Sequence, residues 1–242
     1  MRLKIISCAV MRRELRFAAS RSPNSIDIEF VDQGLHEFPN KLQGILIKAI
    51  SGIRSKDYDF ILLNYGLCGK GTLDLSHSEL PVVMHNCSDC IPLLLGDKQC
   101  HIQLVEGRPG IFWYSYGWIE GFPLPGGSDY PEKYRKFYGR PIDEGSREVV
   151  EQVLMENYTH LACIYWEELG QKMARSTKQY TRECQSTLCN RLNRNLEYEE
   201  HRGSPDLLER FVNGEWDSDD FLFIEPGKKV GFDPLSNRLY AR

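Results

Sequence analysis

The first hundred residues repeat one pattern, a short strand-like run followed by a loop or a helix-compatible stretch, and that repetition narrows the fold more than any other feature. Lys4-Ile5-Ile6-Ser7-Cys8 precedes the charged segment Arg12 to Ala18, which Arg21-Ser22-Pro23-Asn24 breaks. Ile26 to Phe30 then alternates apolar and acidic residues as a half-buried strand does, and Pro39-Asn40 opens a segment with Leu42, Ile45, Leu46, Ala49, Ile50 and Ile53 at helical spacing. The run Asp59-Phe60-Ile61-Leu62-Leu63 is apolar after its first residue, the mark of a strand covered on both faces in a parallel sheet. A fourth run, Pro81 to His85, leads into Asn86-Cys87-Ser88-Asp89-Cys90 and a short helical stretch, Ile91 to Leu95, that Gly96 stops. This is a doubly wound α/β pattern.

Beyond Val105 the composition changes. Aromatic residues cluster in Ile111 to Trp118, which reads as a strand or hairpin arm, and a Gly/Pro-rich loop follows. A helix around Ser146 to Asn157, a buried strand over Thr159 to Trp166 and a helix over Glu167 to Tyr180 come next. The order then echoes the beginning of the chain. Leu161 to Ile164 with its helix resembles Ile5 to Cys8 with its helix, and Asn195 to Glu199 resembles Ile26 to Phe30. Pro205 to Val212 stands for Asn40 to Ile53, and Asp220 to Gly227 for Asp59 to Gly66. The expectation is an α/β fold of two packed Rossmann-like halves, residues 1–127 carrying the cysteine site and residues 128–242 closing a shared cleft. Internal duplication is one explanation; the likeness of any two βαβ patterns is the other.

A chain of 242 residues with 41% hydrophobic and 26% charged side chains can bury a core and is far from the composition of disorder. Its formal net charge of -4 gives no long-range attraction for phosphate backbones, and no stretch combines clustered Lys/Arg with aromatics. Nucleic acid is not an expected partner. The run Leu3 to Val10 is too short for a secretory core, and no apolar run approaches the roughly 18 residues that span a bilayer. No membrane is expected, and the cytoplasm is the expected compartment. Eight cysteines are too few for a disulfide scaffold, so the thiols are read as reduced and left for metal binding, nucleophilic chemistry or core filling.

In open parallel sheets ligands bind outside the carboxyl ends of the strands. Three such ends carry cysteine: Cys8 after the first strand, Cys68 after the third, and Cys87 with Cys90 after the fourth. Cys8, Cys68 and Cys90 are the expected metal ligands, Cys90 being preferred to Cys87 because the start of a helix would lower its pKa. Three thiolates with one open position suit a catalytic zinc, and three or four cysteines can equally hold an iron–sulfur cluster. The absence of a ferredoxin-like cysteine run, with His85, His36 and Asp89 nearby, tips the balance toward zinc. A metal-free nucleophile at Cys68 or Cys90 is the runner-up. Glu14, His36 and Asp89 follow predicted strands and are the candidate proton-transfer residues, although each type is commonly a cap or a surface group. Tyr65, Gly66 and Gly69 around Cys68 are the expected cofactor-binding positions, with Trp118 beside the Gly/Pro loop as a pocket wall. Cys100, Cys163, Cys184 and Cys189 lack a convergent setting and are read as structural.

Cys8 with Glu14, Leu35-His36-x-x-Pro39, Tyr65-Gly66-Leu67-Cys68-Gly69, Asp89-Cys90 with Leu94-Leu95-Gly96, Gly117-Trp118, and the closing Leu207, Gly214, Trp216, Phe221 and Pro226-Gly227 make up one extended pattern. Over nearly the whole chain it resembles a prokaryotic family of unknown function. Members are often encoded beside corrinoid-dependent methyltransferases and their corrinoid proteins in anaerobic bacteria and archaea. The resemblance implies a role in one-carbon or methylamine metabolism, a small-molecule substrate or methyl-group carrier, and contact with a corrinoid protein. It leaves open whether the chain is a metal-dependent methyltransferase component or a non-catalytic accessory. Where the family pattern often has a histidine before the Asp-Cys pair, this chain has Ser88.

Overall fold

The structure is a computed structural model that describes residues 1–106, 108, 110–236 and 238–242. In chain order, the first elements are β1 (Arg2–Cys8), α1 (Arg12–Arg21), β2 (Ser25–Val31), α2 (Pro39–Ser51), β3 (Phe60–Asn64), β4 (Val82–His85) and α3 (Ile91–Leu95). Then come α4 (Lys98–Val105), β5 (Ile111–Ser115), α5 (Tyr116–Gly121), α6 (Tyr130–Tyr138), α7 (Glu144–Met155), β6 (His160–Tyr165), α8 (Gln171–Leu192) and β7 (Glu197–Arg202). The chain closes with α9 (Asp206–Asn213), β8 (Phe221–Ile224), β9 (Val230–Asp233) and β10 (Arg238–Ala241).

The α/β class expected from the sequence is what the structure shows. The chain forms two compact units, Met1–Lys98 with Pro205–Arg242, and Gln99–Ser204. The sequence reading cuts the chain once, at 127/128; the compact units cut it twice, because strand pairing reassigns both ends of the second half. The aromatic strand β5 pairs with β6 in the second unit, and β8 returns to pair with β4 in the first. The proposed repeat divides in the same way. β1–α1–β2 and β6–α8–β7 are each a parallel βαβ unit. The third equivalence does not hold: β8 runs antiparallel to β4 rather than extending the second sheet. The structure therefore gives no support to duplication beyond one βαβ unit.

The first unit holds a five-stranded sheet of order β2-β1-β3-β4-β8. β1 to β4 are mutually parallel, with Leu3 opposite Phe60 and Ile61 opposite Val82 fixing the register. The chain leaves β1 for β2 on one side and then crosses to β3 on the other, so the winding reverses between β1 and β3. Residues of β3 and β4 are almost all buried, which is why those runs read as continuous apolar stretches. β2, with one neighbour, keeps its alternation, and Asp27 and Glu29 on its outer side pair with Lys4 at 3.0 and 3.3 Å. On one face Leu42, Leu46 and Ile50 of α2 pack on Ile6, Ile61, Leu63, Val82 and Met84, each buried side chain contributing about 1.5–3 kcal/mol. Phe211 of α9 lies on the other face, its ring 4.2 Å from that of His85.

In the second unit β5-β6-β7 form a parallel three-stranded sheet. The strand over Ile111 to Ser115 is as expected, but Tyr116 and Trp118 belong to α5, capped by the Ser115 hydroxyl, and not to a hairpin arm. The helix expected to end at Tyr180 begins at Gln171 and continues to Leu192, because Ala174, Thr177, Thr181, Cys184 and Leu188 carry a buried stripe past that point. Cys163 and Cys184 are core residues of this unit and Cys189 packs against them. All four cysteines read as structural, Cys100 included, fall within Gln99–Ser204. No helix among the described residues is long and apolar enough to cross a membrane.

Candidate functional site

Cys8 ends β1, Cys68 follows β3, and Cys87 and Cys90 follow β4, so the four remaining cysteines lie along the carboxyl edge of three adjacent parallel strands. The loops after β3 and β4 are joined by backbone bonds from Leu67 N–H to Cys87 O and from Cys68 N–H to Ser88 O, both 2.9 Å. This contact demands a glycine at 66. A Cβ there would stand 2.6 Å from Cys87 O and 3.0 Å from Cys87 Sγ. Cys68 and Lys70 flank Gly69 in a run of positive φ, 45°, 64° and 74°, and the two non-glycine residues carry a conformational cost of order 1–3 kcal/mol each. Such strain persists only where the surroundings impose it. Here the neighbouring loop and the turn Leu35–Glu37 do so, the His36 carbonyl lying 3.2 Å from where a Cβ at Gly69 would be.

Burial dominates the electrostatics of the thiols. It pushes Cys8 up to about 11, helped by the Asp32 carboxylate. It pushes Cys68 up to about 12, helped by Cys8. It raises Cys87 and Cys90 well above the ordinary range, with Asp89 the next cause for both. The low pKa expected for Cys90 at a helix start is overturned. α3 has only five residues, and desolvation and the adjacent carboxylate outweigh its dipole. Cys68, Cys90 and Tyr65 each feel the charge of the other cysteines, and the Tyr65 phenol couples to Cys8, Cys68 and Cys90 together.

Strand alternation sends Cys8 and Tyr65 toward the α2 side, where Cys8 and Cys68 pack against the core that contains Tyr65. Ser7, Asn64 and His85 make a polar row on the other side. Asn64 Nδ2 donates to Ser7 Oγ at 2.9 Å, Ser7 Oγ to the Cys8 carbonyl at 3.1 Å, and His85 Nε2 lies 3.0 Å from Asn64 Oδ1. This row was not read from the sequence; the polar residues Ser7, Asn64 and His85 closing three apolar runs were its only signal. His85 therefore does not face the thiols as an additional ligand. Burial lowers its pKa to about 3. A base depressed on folding contributes stability above its unfolded pKa near 6.5 and loses it as pH falls toward 3. The expected loss is about 1.4 kcal/mol per pH unit below pH 6. Urea unfolding of the wild type and of His85→Gln at pH 7 and pH 5 checks this: the wild type should lose roughly 2 kcal/mol more than the variant over that interval.

The other candidates separate clearly. Asp89 accepts from Ile91 N–H at 2.8 Å and from Ser88 Oγ at 2.9 Å, so its carboxylate serves the start of α3. Glu14 is buried in the first turn of α1. His36 lies in the Leu35–Glu37 turn, its pKa lowered by burial. Trp118 belongs to the second unit, where it packs edge-on to Phe122 at 5.4 Å, and not to the unit that carries Cys8, Cys68, Cys87 and Cys90. A groove of 980 Å³ lies in the first unit beside Trp216, Phe223, Phe232 and Arg238, and none of the cysteines lines it.

The donor set is soft, and one buried polar atom beside it has no protein partner among the described residues: Tyr65 Oη. Thiol donors are the kind a thiophilic cation takes, whereas the phenol oxygen is a hard group that adds nothing to such a set. No group of three or more His, Cys, Asp or Glu among the described residues is arranged to hold a metal ion. The fold and this edge define an α/β protein with a doubly wound, mostly parallel sheet and half-buried cysteines at the strand ends beside its winding reversal. The chain belongs to a family described as protein of unknown function (DUF1638), whose profile matches residues 30–212. The match includes Cys68, Cys87 and Cys90 and begins after Cys8. Comparison with curated proteins gave no match, and comparison with solved structures gave none.

Proposed function

We propose that the protein holds a thiophilic metal ion, zinc, on Cys8, Cys68 and Cys90 and acts in corrinoid-linked methyl transfer or one-carbon metabolism. What supports the metal reading is that Cys8, Cys68 and Cys90 stand at the carboxyl ends of the adjacent strands β1, β3 and β4, at the point where the winding reverses. Zinc on thiolates supplies an open position that holds a substrate thiol as a reactive thiolate near neutral pH. The Leu67–Cys87 and Cys68–Ser88 bonds hold the two loops in register, and Gly66 lets them meet. The methyl-transfer setting rests on the family resemblance of the motifs.

A second reading, a non-catalytic accessory that binds a corrinoid protein or methyltransferase, gains from one observation. The Asp89 carboxylate accepts from Ile91 N–H and from Ser88 Oγ, which commits it to the local turn before α3. Metal analysis of the chain purified without oxygen tests the first reading. About one equivalent of zinc is expected, and less than about a tenth of an equivalent of zinc or iron would withdraw it. An equivalent of iron with inorganic sulfide would replace zinc by a cluster. Co-purification with a corrinoid protein, without turnover of methylated substrates by the pure chain, would move the assignment to the accessory.

A further inference from the structure

The five-stranded sheet ends at β8, which pairs with β4 and with no other strand among the described residues, and β10 pairs only with β9. β9 is closed on its other side, where Val230 bonds to Asp74 and Leu75 at 2.9 and 3.1 Å, so the free edge of the small sheet belongs to β10. The groove of 980 Å³ lies between these two edges, with Phe221, Leu222 and Phe223 on one side and Leu239, Tyr240 and Ala241 on the other. Side chains alternate between the faces of a strand, so a groove lined by consecutive residues follows strand edges.

The ladders fix which backbone groups turn toward it. Arg242 and Lys229 exchange both of their bonds at 2.9 Å, and antiparallel pairs alternate, so Leu239 and Ala241 direct their N–H and C=O groups away from β9. Asn86 N–H donates to Asp220 O at 2.8 Å, which in the same way turns Phe221 and Phe223 away from β4. Leu239 N–H is taken by Asn86 Oδ1 at 3.3 Å and Phe221 N–H by Asp217 O at 3.0 Å. Among the described residues, the N–H and C=O groups of Phe223 and Ala241 meet no partner. Unpaired edge groups of this kind template a further strand, and β8 has neither a proline nor a charge to blunt its edge.

We propose that the groove takes an extended peptide of a partner protein, added as a strand between β8 and β10, with basic side chains beside apolar ones. Each edge strand has four residues, which matches a segment about 13 Å long. The apolar contact is Phe223, 47% exposed, whose ring meets Phe60 edge-on at 6.3 Å, with Trp216 4.8 Å from the same Phe60 ring. The charge follows from the lining, which sets Asp217, Asp219 and Asp233 against Arg238. Arg210 is shared by Asp217 and Asp220, so with that pair included four carboxylates stand against two guanidiniums. The same excess disfavours a second copy of the chain, which would bring these carboxylates against their own images. None of the cysteines lines the groove, so the proposal is independent of what the strand ends hold.

The test titrates the full chain with a capped peptide of alternating lysine and valine, with its counterpart carrying glutamate for lysine, and with the lysine peptide N-methylated at every valine. Calorimetry gives the affinities and hydrogen exchange the protected amides. The lysine peptide should bind at least about tenfold more tightly than the glutamate peptide at low salt, and the gap should shrink as salt is added. N-methylation should weaken binding by at least about tenfold, because one ladder of backbone bonds is lost. Bound peptide should slow exchange at Phe223 and Ala241. Asp219→Lys, at a side chain 92% exposed, should narrow the lysine–glutamate gap about three- to tenfold. No binding of the lysine peptide at millimolar concentration, or binding that N-methylation leaves unchanged, overturns strand addition. Equal affinity for the two peptides, or a gap that Asp219→Lys leaves intact, overturns the basic partner. A dimer of the free chain with the Phe223 and Ala241 amides protected in it would give the edge to a second copy and overturn the proposal.

Discussion

If the proposed zinc–thiolate site exists, Cys68→Ser should lower the affinity for zinc or cobalt by more than about a hundredfold, beyond the range seen when only a supporting group is lost. Cys68 is coupled to Cys8 on one side and to Cys87 and Cys90 on the other. A serine hydroxyl in its place would not ionise near neutral pH. The backbone cannot swing another donor into place, because Cys68 N–H is held by Ser88 O and Gly71 N–H by Cys68 O, at 2.9 and 3.1 Å. Chelator competition on the full chain measures the effect. Cys184→Ser is the control. Cys184 is a core residue of the second unit, and its replacement should leave metal affinity unchanged. Unaltered binding by Cys68→Ser would exclude that sulfur as a ligand.

Glu151→Ala should cost about 3–5 kcal/mol of folding stability, the usual loss when one partner of a buried ion pair is removed. The Glu151 side chain is 1% exposed and lies between two arginines, at 3.0 Å from Arg147 Nε and 2.7 Å from Arg191 Nη1. It also accepts from Gly126 N–H at 2.8 Å. Arg147 is itself buried and donates to Gly127 O at 2.7 Å, so deleting the carboxylate strands its charge where water cannot reach. Glu151→Gln, which keeps an acceptor oxygen, should lose less than the alanine variant. Urea unfolding provides the measurement, and a loss under about 1 kcal/mol for the alanine variant would show that the chain rearranges to satisfy Arg147.

Glu151 also illustrates what local pattern leaves out. Within the helix expected around Ser146 to Asn157 it reads as one of several acids on a polar face. Only the approach of α8, which brings Arg191, and of the Gly126–Gly127 turn makes it a buried anchor. The same limit applied to β8. Its apolar run was legible as a strand, but partner and direction depend on which edge of which sheet remains open after the other strands have paired.

Much of the candidate site was legible because its determinants are local. Buried parallel strands need apolar residues at successive positions, so β1, β3 and β4 announced themselves, and the cysteines at their ends came with them. The glycines around Cys68 pointed to a close backbone approach, read as room for a ligand; the structure uses Gly66 for contact with the Cys87 loop, and the positive φ of Cys68 and Lys70 had no sequence signal. The sequence by itself therefore determined the α/β class, the strands β1 to β8 and the cysteines at the ends of β1, β3 and β4, but not β9 and β10. Tertiary structure alone decided that β1 and β3 are neighbours and that β8 closes the first sheet. It also decided that Trp118 belongs to the other unit, that Cys90 is raised rather than lowered in pKa, and that Tyr65 keeps a hydroxyl without a partner. The division has one physical cause: strand formation depends on residues a few positions apart, whereas desolvation, charge coupling and hydrogen-bond satisfaction depend on groups that only folding brings together.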